Sequence, residues 1–332
     1  MTSAERVLEY ARLPSEGVRR GTAPLPRAAI AHHDDDAGNS NMSKHTEVAA
    51  SVAAAEAVHA AAAAVGSAGS RLTYTPPASW PEAGRVDVND VFMSYKPGVL
   101  PPVLRGLTFT LLPRQKVGVC GRTGAGKSSL FSVLFRLHGI QAGSVCIDGV
   151  DINSIGLADL RSQLAIIPQN PVIFSGTVRY NLDPFSVCAD AELWAALEKV
   201  QLKQHFLSQP MGLASPMSES GGNLSAGQGQ LLCIARALLQ PSRVLFVDEA
   251  TANVDPQTDQ VIQRVLRTAF KERTVVTIAH RLDTIADCDV ILVLDAGKVV
   301  EMGPPEELRA KPDGVFAGMV ALQSGAHGEA AH

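Results

Sequence analysis

Gly121-Arg122-Thr123-Gly124-Ala125-Gly126-Lys127-Ser128-Ser129 is a glycine-rich run held between two apolar segments, Val117–Cys120 before it and Leu130–Phe135 after it. It satisfies the pattern G-x-x-x-x-G-K-[ST], and its flanks read as strand, loop and helix, the context a phosphate cradle needs. Glycines let the backbone turn tightly and bring successive N–H groups close to an anion with no Cβ in the way. The helix that follows aims the positive end of its dipole at the same place. Lys127 then reaches the β- and γ-phosphates, and the Ser128 hydroxyl is a magnesium ligand. An ordinary Gly-rich turn ahead of a core helix would need neither the Lys-Ser pair nor both flanks. The stretch predicts that the chain binds a nucleoside triphosphate.

Composition sets the bounds around that loop. The 332 residues leave room for one large domain or two modest ones, and a hydrophobic content of 46% is enough for a real core. A net charge of −4 calls for neither nucleic acid nor an acidic membrane surface as the main partner. Cys120, Cys146, Cys188, Cys233 and Cys288 show no C-x-x-C spacing, and three of them lie in apolar runs. That reads as reduced thiols, not as a metal site. No segment is a long uncharged apolar run, and Met1–Arg6 lacks a signal-peptide core, so the polypeptide by itself reads as soluble.

Outward from the loop, the chain changes character twice. Residues 1–13 have helical spacing, with Val7, Leu8 and Leu13 apolar among charges. From residue 14 to 82 come an Asp34-Asp35-Asp36 run, scattered Gly and Ser, and an alanine tract around Ala53–Ala64. With few large apolar groups to bury, this reads as a disordered or weakly helical linker. Globular patterning starts near Gly84. Strands are expected at Val86–Phe92, Val103–Leu112, Gly143–Ile147, Leu164–Ile167, Val244–Val247, Val275–Ile278 and Val290–Leu294. Helices are expected at 258–270, at 281–286 and through residues 177–240, with Asp190 as an N-cap. Strands alternating with helices imply a largely parallel sheet covered on both faces.

Val244-Leu245-Phe246-Val247-Asp248-Glu249 is an apolar strand ending in two carboxylates. In parallel sheets, active groups gather at the carboxyl ends of strands. Asp248 suits a magnesium ion, and Glu249 the orientation and partial deprotonation of an attacking water. Acids are also favoured wherever a strand runs into a helix N-terminus, so the pair gains its meaning from the glycine loop. Leu224-Ser225-Ala226-Gly227-Gln228 precedes the apolar run Leu231–Leu239, where Ser225 is either a phosphate contact or simply a cap.

Taken in this order, the motifs resemble the nucleotide-binding domain of ABC transporters over about Gly84 to Ser324. The resemblance implies an α/β fold, a P-loop NTPase (RecA-like) core with an antiparallel β subdomain and an inserted helical subdomain. It implies ATP and Mg²⁺ as ligands and ATP hydrolysis coupled to transport. By the same resemblance Tyr95 stacks on adenine, and Gln169 contacts Mg²⁺ and senses the transmembrane domains. Leu224–Gln228 completes the site of a second nucleotide-binding domain across a dimer. Asp255 is the D-loop aspartate, and His280 lies near the γ-phosphate; apart from the family, His280 reads equally as a core imidazole at a strand end.

The finer resemblance is to the second, C-terminal nucleotide-binding domain of subfamily C, the multidrug-resistance-associated type. It rests on Val103–Leu107, Gly121–Gly124, Phe174–Thr177, Asn181–Phe185 and Ala250–Asp255. Ser3–Tyr10 is similar to the stretch after that family's last membrane helix, so residues 1–13 would be a helical remnant following a membrane domain. The ATP-binding domain would run over residues 84–324, and residues 325–332 would be a flexible tail. Such a domain sits on the cytoplasmic side of a membrane as part of a transporter. Two positions depart from the pattern: Gly229 stands where the family usually has Arg, and Ala226 where the signature usually has Gly. Gly229, with the membrane region lost, motivates an alternative reading, a regulatory module that binds ATP without hydrolysing it.

Overall fold

The computed structural model describes residues 74–218, 224–250, 254–279 and 281–329, with side chains to residue 323. Folded structure begins earlier than the composition change at residue 84 suggests. Trp80 is 6% exposed and donates its indole N–H to Ile147 O at 2.8 Å. A tryptophan with its N–H satisfied buries more apolar area than any neighbour in that polar stretch, so the end of the expected linker docks on the domain.

The chain enters through β1 (Val86–Met93), β2 (Leu104–Leu111) and β3 (Lys116–Gly121), then the glycine loop and α1 (Lys127–Leu134). β4 (Ala142–Ile147), β5 (Val150–Asp151), α2 (Leu157–Ser162) and β6 (Leu164–Ile167) follow. β1, β2, β4 and β5 pair antiparallel in the order β2-β1-β4-β5. Their alternating buried and exposed positions are the period of two that the sequence shows at Val86, Val88 and Leu104–Leu111.

The middle is helical but broken. It holds β7 (Gly176–Thr177), α3 (Val178–Leu182), α4 (Asp190–Lys199), α5 (Lys203–Leu207), a 3₁₀ turn at Gly212–Ala214, β8 (Pro216–Met217) and α6 (Ala226–Leu239). The expectation of helix throughout residues 177–240 is corrected here. Pro184, Pro210 and Pro216 lack the N–H that a continuing helix needs. Asp190 is not the cap of α4: Ala189 holds that position, with its N–H donated to Glu192 Oε2 at 2.8 Å, and Asp190 pairs instead with Arg179.

Then come β9 (Val244–Asp248), α7 (Pro256–Ala269), β10 (Thr274–Ile278), a 3₁₀ turn at Leu282–Ile285, β11 (Val290–Asp295), β12 (Lys298–Gly303), α8 (Pro305–Ala310) and α9 (Val315–Glu329). The second sheet runs β12-β11-β3-β10-β9-β6. All its pairings are parallel except the β11–β12 hairpin. Its central strands are the uninterrupted apolar runs: Val117, Val119, Val244, Leu245 and Phe246 are fully buried. Phe246 takes Phe131 of α1 and Phe135 just past its end edge-on, each at 5.0 Å between centroids, which clamps α1 to the sheet. The backbone of α9 continues to Glu329, past the boundary expected at residue 324.

Candidate functional site

The sheet order decides where the chemistry gathers. β3 feeds the glycine loop and β9 ends at Asp248, with β10 alone between them. Adjacent strands lie roughly 4.8 Å apart, so the loop and the two carboxylates stand about 10 Å apart at the same, carboxyl, edge.

Gly121 takes φ 150, and a Cβ there would sit 2.2 Å from Leu294 O on the neighbouring strand. Only glycine lets β3 turn out of the sheet at that point. Gly124, at φ 82, has nothing within 4 Å of where its Cβ would be, so the top of the loop is open. Arg122, Thr123, Gly124 and Ser128 are exposed, whereas Ala125, Gly126 and Ser129 are buried. The Ala125 N–H donates to Arg122 O at 3.0 Å, and Ala125 O accepts from Gly297 N at 3.0 Å, bracing the loop on the β11–β12 turn. α1 starts from Gly126 at φ 105 with no side-chain cap and no acid in its first turn. That is the electrostatics of an anion site.

Lys127 Nζ donates to Gly121 O at 2.8 Å and Arg122 O at 3.2 Å. Burial lowers its pKa from the ordinary 10.5, while Glu249, Cys120 and Asp248 pull it back up. The two carboxylates at the end of β9 therefore act electrostatically on the lysine of the loop. Glu249 holds a left-handed backbone, φ 45, with its N–H on Ile278 O at 3.2 Å. A non-glycine residue held there costs ~1–3 kcal/mol and is characteristic of functional positions. Gln169, 80 residues earlier and just beyond β6, donates its amide to Glu249 Oε2 at 2.7 Å. Glu249, read from the strand end, and Gln169, implied by the resemblance, are thus in direct contact.

The signature segment opens α6. Ser225 and Ala226 are exposed, Gly227 is buried against Thr258, and Leu224 packs on the helical core. Asp255 caps α7, its Oδ1 accepting from Gln257 N at 3.1 Å and Thr258 N at 3.0 Å. The Thr258 amide leads the contacts that lower its pKa. Tyr95 is 41% exposed, and its hydroxyl lies 2.9 Å from Ser129 Oγ. His280 lies outside the described residues.

Sequence reasoning missed how α6 grips the Gln169 loop. A Cβ on Gly229 would come within 3.2 Å of Pro171, so the helix start packs directly on that loop. Gln230 donates to Pro168 O at 2.8 Å. Arg236 reaches Val172 O and Asn181 O, bonds Asn181 Oδ1 at 2.6 Å, and stacks over Phe174 at 5.1 Å. The available signal was a lone cation inside an apolar helical run.

Residues 104–252 match the family model described as ABC transporter. These residues are an ABC transporter domain. The chain is 53% identical over 251 residues to the probable multidrug resistance-associated protein lethal(2)03659 of Drosophila melanogaster, covering 75% of this chain and 18% of that protein. It is 52% identical over 237 residues to human ATP-binding cassette sub-family C member 2 (71% and 15%) and 50% identical over 244 residues to the metal resistance protein YCF1 of Saccharomyces cerevisiae (73% and 16%). The solved structure of a bacterial Atm1-family ABC exporter with ATP bound aligns at a TM-score of 0.70 and 33% identity, over 83% of this chain and 47% of that one. The ABC domain accordingly has the P-loop NTPase fold of ATP-binding cassettes and resembles the subfamily C type. The chain spans less than a fifth of the length of these curated relatives. Among the described residues, no helix is long and apolar enough to cross a membrane.

Among the described residues no cluster of three or more His, Cys, Asp or Glu could hold a metal. The donors at this edge are oxygens: the Ser128 hydroxyl, the Asp248 carboxylate and the Gln169 amide carbonyl. That set fits magnesium, which takes few protein ligands and fills its remaining positions with phosphate oxygens and water.

Proposed function

We propose that this domain hydrolyses ATP to drive export by a multidrug-resistance-associated-type transporter, of which it is the second nucleotide-binding domain. The observation that carries the reading is the 2.7 Å bond between Gln169 and Glu249, beside the phosphate loop of Lys127. Residues 121–129 bind the triphosphate, and Tyr95 stacks on the base. Ser128, Asp248 and Gln169 would hold Mg²⁺, which would supply positive charge against the triphosphate. Glu249 orients a water and accepts its proton as the water attacks the γ-phosphorus, giving ADP and phosphate. Gln169 orients that carboxylate, and His280 lies near the γ-phosphate. Leu224–Gln228 and Asp255 face a second nucleotide-binding domain across the dimer.

Transmembrane domains are the other proposed partner. Tyr180, Phe185 and Val187, from 40% to 79% exposed, lie on the helical subdomain near the Gln169 loop and support a docking face there. Residues 84–324 are the proposed domain; the helical stretch expected at residues 1–13 and the part of the expected linker before residue 74 lie outside the described residues.

The test is Glu249→Gln in the full-length transporter. ATP hydrolysis should fall by ~10²- to 10⁴-fold, the range of a lost general base, with ATP binding retained. Undiminished phosphate release would remove Glu249 from the chemistry.

A further inference from the structure

An exposed tyrosine has two free side-chain torsions, and a ligand that must freeze them binds more weakly. Around Tyr95 the freezing is already done. Its phenol oxygen lies 2.9 Å from Ser129 Oγ, and its ring meets the His138 imidazole edge-on, with centroids 4.8 Å apart and planes at 81°. The backbone beside it is fixed too: Ser94, 2% exposed, donates its hydroxyl to Leu100 O at 3.0 Å and accepts from Lys96 N at 3.2 Å.

The two pinning side chains flank one helix, at its start and just past its end. Ser129 is in the first turn of α1. His138 lies in the turn beyond its C-terminus, where the Leu137 and His138 N–H groups both donate to Ser132 O, at 2.8 and 3.3 Å. α1 is also the helix that opens at the glycine loop and is clamped to the sheet through Phe131 and Phe135. We infer that Ser129 and His138 hold the Tyr95 ring as a base platform in fixed register with the phosphate loop, His138 being the positioning residue and a nucleoside triphosphate the ligand. The inference rests on the base-stacking role proposed for Tyr95.

His138 has no part in the phosphate chemistry. Its Nδ1 is buried without a hydrogen-bond partner among the described residues, a placement that calls for an explanation. The ring is placed by its contact with Tyr95, not by a hydrogen bond at Nδ1. Burial lowers the pKa of the imidazole, so it is the neutral ring that packs against the phenol.

The experiment titrates the full chain calorimetrically with ATP and with inorganic tripolyphosphate, which has no base, each with Mg²⁺. His138→Ala should weaken ATP by ~3- to 10-fold, the worth of one aromatic contact, and leave tripolyphosphate unchanged. His138→Phe, which keeps a ring, should recover most of the loss with an unchanged thermal midpoint. In a Tyr95→Ala background, His138→Ala should add nothing. Unchanged ATP affinity in His138→Ala, equal loss for both ligands, no recovery in His138→Phe, or additivity with Tyr95→Ala would each overturn the positioning role. Tyr95→Ala with undiminished ATP affinity would instead overturn the stacking role itself.

Discussion

Helix α1 starts at Gly126 with no side-chain cap, whereas α6 starts at Ser225, whose hydroxyl accepts from Gln228 N at 3.1 Å while the Gln228 side chain accepts from Ser225 N at 3.0 Å. Every helix leaves its first N–H groups without intrahelical partners. α6 answers from its own sequence with a complete capping box. α1 leaves the answer to an anion and forgoes the local stability a cap would bring. A third start, that of α9, is served from another element: buried Glu301 of β12 accepts from Val315 N at 3.1 Å, Phe316 N at 2.9 Å and Lys311 Nζ at 3.0 Å. α2, α5 and α8 also start without a side-chain cap, so what marks α1 as an end shaped for a ligand is the glycine loop that leads into it. Ser225 still keeps its hydroxyl proton to donate, so a capped end can also serve a second nucleotide site.

The largest expected effect breaks the α1 end. Gly121→Ala puts a Cβ 2.2 Å from Leu294 O, a backbone atom that cannot swing aside, at a backbone conformation L residues rarely adopt. Strain and overpacking together should cost ~3–5 kcal/mol, or roughly 10 °C in thermal midpoint, with at least tenfold loss of ATP affinity. A midpoint unchanged within 2 °C, on the order of half a kcal/mol, would show the loop tolerant and the comparison unsound.

The α9 start gives the next effect and a pH signature. Burial works against the charged Glu301, but the Phe316 amide, Lys311 and the Val315 amide outweigh it and hold the carboxyl below its ordinary 4.5. A depressed pKa gives stability that is present in full above the unfolded value and is lost as pH falls through the folded one. The wild type should therefore lose stability below about pH 4.5 more steeply than Glu301→Gln. At neutral pH the variant should be less stable by ~1–3 kcal/mol, since at least one buried donor loses a charged acceptor. Urea midpoints at pH 3.5 and 7 decide it: parallel losses in both proteins would remove Glu301 as the cause.

How much of this the sequence discloses depends on how local the signal is. The glycine loop, the Asp248-Glu249 strand end and the apolar core strands are legible because each is a short run whose residue types have one good use. β12, α8 and α9 are not: Val315–Glu329 is apolar nearly all round and carries Gly318, so it shows no helical stripe. The Gln169–Glu249 bond, the packing of Gly229 on Pro171 and the His138 contact with Tyr95 join residues far apart in sequence. Pattern gives the members of such contacts and is silent on their meeting. Gly229 shows the cost of that silence. In the sequence it is only a departure from the family's usual Arg; in the fold it packs directly on Pro171 of the loop that carries Gln169.

The smallest effect sharpens the comparison from the α6 side. Ser225→Ala removes one half of the capping box, and the loss should be ~1 kcal/mol, with Ser225→Gly costing only a few tenths. For a domain of this size that is a shift of ~2–4 °C in thermal midpoint, resolvable by calorimetry on the full chain. ATP affinity should not change, because the phosphate loop on α1 is a separate end of the molecule. If Ser225→Ala leaves the midpoint unmoved, the serine is not a working cap, and α6 would resemble α1 in leaving its amides for a ligand. If it lowers ATP affinity in the isolated chain as well, the two helix ends share a site within one domain, and completion across a dimer would no longer be needed to explain the signature.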